Sequence, residues 1–157
     1  MRRVLGDAQT VSFARRTHSR PALLATLPPS TFTPIRKFIL AVDDDEGMRA
    51  AIHGMLSLKY RVALAVDGID GCEKAIAEPR PDLIIADVAM PRLDGIAMVR
   101  RIWEKEAPRR VPVIFLTGQM SPACLLAGLP AGSFAYLPKP TDPAVLEMKV
   151  NRALRGP

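Results

Sequence analysis

Cysteine is scarce. Cys72 and Cys124 stand far apart and match no metal-ligating or redox spacing. They read as two reduced thiols, which places the chain in a reducing compartment, the cytoplasm. Long apolar runs are lacking too: none approaches the roughly 18 residues of a membrane span. Acid is nearly absent from the first 37 residues, where Arg2, Arg3, Arg15, Arg16, Arg20, Arg36 and Lys37 face Asp7 alone. That segment carries the whole formal excess of +6, so the basic balance does not describe the body that follows. Pro21, Pro28, Pro29 and Pro34, with Ser and Thr between them and no sustained period, mark residues 1–37 as a disordered extension. No internal repeat is visible. What remains is ample for one domain: 157 residues, 48% of them hydrophobic.

From residue 38 the pattern alternates. Apolar runs predict strands at Phe38–Val42, Arg61–Ala65, Leu83–Ala86, Val111–Leu116 and Phe134–Leu137. Helical spacing joins Met48, Ala51, Ile52, Met55 and Leu56, then Ile69, Cys72 and Ile76, then Ile96, Val99, Ile102 and Trp103. A short helix fits 121–129, with Pro122 in its first turn, and a last one carries Leu146, Val150 and Leu154 after Thr141 or Asp142. Five strands alternating with five helices predict a doubly wound α/β domain. Continuous rather than alternating apolar strands predict a parallel sheet covered on both faces.

In such a sheet, ligands bind outside the carboxyl ends of the strands. Asp43-Asp44-Asp45-Glu46 follows the first strand, Asp87 the third, Thr117-Gly118 the fourth and Lys139-Pro140 the fifth. Carboxylates gathered there repel one another, and a hard cation with oxygen ligands, Mg²⁺, relieves that repulsion. Lys139 adds a positive charge, Thr117 offers a hydroxyl to a phosphoryl oxygen, and Asp87 is free to act as a nucleophile. Each residue also has an ordinary reading: Asp44 or Asp45 as a helix cap, Thr117-Gly118 as a turn, Lys139-Pro140 as a solvated loop. Their joint placement after four strands of one sheet weakens the ordinary readings taken together.

The stretches ILAVDDDEGMR (39–49), PDLIIADVAMPRLDG (81–95), VPVIFLTG (111–118) and AYLPKP (135–140) stand in an order and at separations that resemble the receiver domain of bacterial two-component response regulators. The resemblance spans residues 38–155, about three quarters of the chain. It implies a flavodoxin-like (βα)5 fold with strand order 2-1-3-4-5. It implies Asp87 as phospho-acceptor and Asp43, Asp44, Asp87 and the backbone carbonyl of Ala89 as Mg²⁺ ligands. Thr117 becomes the switch hydroxyl, Tyr136 the switch aromatic, Lys139 the partner of the phosphoryl group, and Lys139-Pro140 a cis peptide. The implied partners are a sensor histidine kinase or a histidine phosphotransfer protein, and a downstream protein docking on the 118–137 and C-terminal helix face, where a second copy also fits. The role is signalling, not enzymatic.

The sequence departs from that pattern in places. GQMSPACLLAGLPAG (118–132) carries no charge where the family's fourth helix usually does, and Pro130 ends that helix early. This reads as a short packed helix or as an apolar docking patch. Thr141 stands where Phe is common, and Ala89 and Gln119 occupy positions that in the family tune phosphoryl lifetime. No stretch beyond the last helix is long enough for a DNA-binding module, which predicts a stand-alone receiver. The alternative is a receiver that is not phosphorylated and serves as an interaction scaffold. A haloacid-dehalogenase-type phosphatase also uses an Asp nucleophile and Mg²⁺, but needs a second Asp where Ala89 stands. Nucleic-acid binding rests on the Arg-rich extension alone, and a transit-peptide reading of it sits poorly with a bacterial-type body.

Overall fold

The computed structural model describes residues 36–118, 129–130 and 134–156. The expected disorder of the first 35 residues, residues 121–128 of the expected 121–129 helix, Gln119 and Cys124 lie outside the described residues, as does most of the uncharged 118–132 segment. Five strands, β1 (Phe38–Val42), β2 (Arg61–Ala65), β3 (Leu83–Asp87), β4 (Val113–Thr117) and β5 (Phe134–Pro138), form one parallel sheet in the order β2-β1-β3-β4-β5. Four helices are described: α1 (Glu46–Leu56), α2 (Gly68–Ile76), α3 (Gly95–Lys105) and α4 (Pro143–Arg155).

Period two divides each apolar strand between two cores. Leu40, Val42, Ile84, Ala86 and Phe115 face α2 and α3, where Met98, Val99, Ile102 and Trp103 meet them. Ile39, Ala41, Leu83, Ile85, Ile114 and Leu116 face α1 and α4, with Ile52, Leu56, Leu146 and Val150. Both faces being covered explains why these strands read as unbroken apolar runs. Each of the four helices opens on an Asp whose carboxylate accepts backbone N–H bonds. Asp45 takes that of Met48 (2.6 Å), Asp67 those of Ile69 and Asp70 (2.7 and 3.0 Å), Asp94 that of Ala97 (2.7 Å) and Asp142 that of Ala144 (2.7 Å).

Two expectations need correction. In α2 the buried positions are Gly68, Gly71 and Ala75, with Cys72 packed against the core, while Ile69 is 41% exposed. The small residues let α2 approach closely: a Cβ on Gly71 would stand 2.5 Å from the Met98 sulfur. Strand β4 begins at Val113, not Val111, because Pro112 has no N–H for the ladder, although its carbonyl still accepts from Ile84 N at 3.0 Å. Val111 instead gives its carbonyl to the buried indole N–H of Trp103, at 3.0 Å. Strands β3, β4 and β5 each run one residue further than the apolar pattern, taking in Asp87, Thr117 and Pro138.

Candidate functional site

Parallel strands end on one rim, and the polar residues that follow them meet there. Asp43, directly after β1, is fully buried; its Oδ1 accepts the N–H of Asp45 at 3.0 Å, and its own N–H donates to the Ala65 carbonyl at 3.2 Å. Asp87 is the last residue of β3, on the strand beside β1, and its Oδ1 accepts the N–H of Ala89 at 3.4 Å. Lys139, after β5, places its ammonium 2.6 Å from Asp43 Oδ2 and 3.0 Å from Asp87 Oδ2. The Lys139 N–H donates to the Thr117 carbonyl at 2.8 Å, which ties the Lys to the end of β4, and the Lys139–Pro140 peptide bond is cis. Thr117 is buried and Asp44 is exposed at the mouth. One oxygen from each of Asp43, Asp44 and Asp87 lies within 4.8 Å of the others.

Asp45, adjacent to these acids, turns away and caps α1. Tyr136, on the edge strand β5, is 45% exposed. Sequence reading missed Arg49, whose guanidinium donates to the Asp43 carbonyl at 2.8 Å, and the pair formed by Arg92 and Asp67. It also missed how close Gly95 comes to the site: a Cβ there would stand 2.0 Å from the Asp87 carbonyl oxygen. The glycine lets α3 start directly beneath the acid, and the DG at 94–95 was its only trace in the sequence.

The electrostatics follow from burial and pairing. Desolvation pushes the Asp43 carboxyl above the usual range, and the bond from Lys139 only partly offsets it. Burial alone would lower Lys139, but its bonds to Asp43 and Asp87 outweigh that and hold the ammonium above its ordinary value. Three carboxylates and one ammonium leave the cluster net negative. A compact, all-oxygen, negatively charged donor set fits a hard divalent cation.

A family model, the response regulator receiver domain, matches residues 39–151. Response regulator MprA of Mycobacterium leprae is 40% identical over 118 residues, 74% of this chain and 50% of that protein. MprA of Mycobacterium ulcerans is 43% identical over 103 residues, 65% of this chain and 43% of the relative. The chain thus spans about half the length of these curated relatives. Among solved structures, the Vibrio cholerae chemotaxis protein CheY4 superposes with a TM-score of 0.69 at 32% identity, covering 76% of this chain and 99% of that one. A receiver domain protein from Clostridium thermocellum gives 0.68 at 26%, covering 76% and 94%. The chain belongs to the response regulator receiver domain family, and its sheet and helices have the CheY-like, flavodoxin-type arrangement.

Proposed function

We propose that Asp87 accepts a phosphoryl group from the phosphohistidine of a sensor kinase or histidine phosphotransfer protein, and that the acyl phosphate switches binding to a downstream partner. One observation carries this reading: a single ammonium, Lys139 Nζ, spans the acids at the ends of β1 and β3, at 2.6 and 3.0 Å. The acceptor is Asp87 rather than Asp43 because the Asp43 side chain is 0% exposed and that of Asp87 is 10% exposed.

An Asp87 oxygen attacks phosphorus in line. The P–N bond breaks, its electron pair stays on the imidazole nitrogen, and that nitrogen takes up a proton. Lys139 neutralises charge on the phosphoryl oxygens, and in such transfers positioning and electrostatics account for nearly all of the rate. Asp43, Asp44, Asp87 and the Ala89 carbonyl would hold Mg²⁺, which would supply further neutralisation of the phosphoryl charge. Thr117, buried at the end of β4, donates its hydroxyl to the phosphorylated acid. Moving Thr117 loosens the rim beside β5, and Tyr136, exposed on that strand, is the aromatic that responds. The 118–137 and α4 face then becomes the output surface for a partner or a second copy. This is a cytoplasmic signalling role with no catalytic turnover of its own. No helix among the described residues is long and apolar enough to cross a membrane.

Intact mass after incubation with Mg²⁺ and acetyl phosphate tests the proposal. The expected result is one added phosphoryl group, absent from Asp87→Asn and abolished by chelator. An unmodified wild type at short times and low temperature would leave the scaffold role in its place.

A further inference from the structure

We infer that Arg92 is a positioning residue for phosphoryl transfer, holding the loop after Asp87 in place through its ion pair with Asp67. The inference rests on the reading of Asp87 as acceptor and names what keeps that acceptor's surroundings fixed.

Loop 88–94 joins β3 to α3 and carries the Ala89 N–H that reaches Asp87. The loop is closed at its base, where Gly95 N donates to the Val88 carbonyl at 3.0 Å and the Val88 N–H donates to the Leu116 carbonyl of β4 at 3.2 Å. Arg92, within the loop, has φ of 67°, a conformation that costs a side chain other than glycine on the order of 1 kcal/mol. The Leu93 N–H donates to the Pro91 carbonyl at 2.8 Å and so closes a three-residue turn around Arg92. The Arg92 guanidinium pairs with Asp67, whose side chain is only 5% exposed. One oxygen of Asp67 already accepts the Ile69 and Asp70 N–H groups as the cap of α2, and the other meets Arg92. The Arg92 side chain is 61% exposed and the carboxylate it meets is buried, so the pair lies at the edge of solvent with its Asp67 end fixed by the α2 cap.

A second contact reinforces the first. The Leu93 carbonyl oxygen lies 2.2 Å from where a Cβ on Gly68 would be, so the loop rests directly on the first turn of α2. The acceptor loop is thereby fastened to a helix that contributes no residue to the acid cluster. Freed from that fastening, the loop lets Ala89 drift from Asp87, and small displacements of groups at a reacting centre are enough to slow transfer markedly.

The test compares saturation kinetics with acetyl phosphate for wild type, Arg92→Ala, Arg92→Lys, Asp67→Asn and the double variant Arg92→Ala/Asp67→Asn. Asn at 67 keeps the capping oxygen and replaces the charged oxygen that meets Arg92 with an uncharged amide nitrogen. Arg92→Ala should lower the maximal phosphorylation rate about tenfold with the half-saturating donor concentration unchanged. Arg92→Lys should recover most of the rate. Asp67→Asn should match Arg92→Ala, and the double variant should be no slower than either single one. Amide hydrogen exchange adds a readout independent of phosphorylation: the Ala89 N–H should exchange faster in Arg92→Ala while β1 amides keep wild-type rates. Equal phosphorylation rates in wild type and Arg92→Ala overturn the inference, as does a double variant whose defect is the product of the single ones. A wild type that takes up no phosphoryl group is a different failure, that of Asp87 as acceptor. In that event unchanged Ala89 exchange in Arg92→Ala would still show that Arg92 does not hold the loop.

Discussion

Of the three acids at the rim, Asp43 and Asp87 share one ammonium, and the imbalance has an energetic cost in the absence of a cation. Asp43 feels both burial and the neighbouring charge of Asp87, each of which disfavours its ionised form. Replacing Asp87 by Asn keeps the shape and removes one negative charge. Asp87→Asn should therefore be more stable than wild type in chelator, by about 1 kcal/mol, and the gap should close when Mg²⁺ is added. Urea unfolding with and without Mg²⁺ measures it, and an Asn variant no more stable than wild type in chelator would mean that Lys139 alone balances the cluster. The acids, the hydroxyl and the Lys were legible in the sequence because each directly follows an apolar run. Arg92 and Asp67 were not, since no spacing or period links two loop residues that meet only once α2 lies against the 88–94 loop.

Glycines separate what an element needs for its own stability from what it needs for its place in the fold. In α1, an added Cβ on Gly54 meets nothing within 4 Å, so Gly54→Ala should stabilise the protein by about 0.5–1 kcal/mol through helix propensity alone. At the start of α3, the Cβ of Gly95→Ala would collide with backbone, the Asp87 carbonyl oxygen, which no side-chain rotation can relieve. That variant should lose about 3 kcal/mol and shift the amide resonances of Asp87 and Val88. Denaturant midpoints of the two variants, moving in opposite directions, check both statements. The same residue type explains where the sequence reading of elements failed. Apolar periodicity located the strands to within two residues, yet it placed Ile69 inside α2's packing face, where Gly68 and Gly71 sit instead. A search for hydrophobic side chains cannot see a contact built on having none.

At the scale of the whole molecule, the rim opposite the acid cluster is held by a clamp between the starts of β1 and β3. Asp82 accepts the Phe38 N–H at 2.8 Å and the Lys37 ammonium at 2.9 Å, while its own N–H donates to the Phe38 carbonyl at 2.7 Å. Burial would raise the Asp82 carboxyl, but the bonds from Phe38 and Lys37 outweigh it and hold it below the usual carboxylate range. The folded chain thus gives up this proton more readily than the unfolded one. The stabilisation is complete above the unfolded value of about 3.9 and is lost as pH falls through the lower folded value. Asp82→Asn should accordingly flatten the acid limb of the stability curve in urea midpoints taken across pH, the difference from wild type shrinking as pH falls through the lowered folded value. Asp43, whose carboxyl is raised, works in the opposite sense, so the single Asn variant is needed to isolate the clamp. The order of synthesis gives the Lys139 bridge one more consequence. Asp43 and Asp87, on neighbouring central strands, are synthesised 96 and 52 residues before Lys139. Until β5 docks, a nascent chain holds these acids together without their ammonium, and through that interval the ions of the surrounding solution must supply the missing charge.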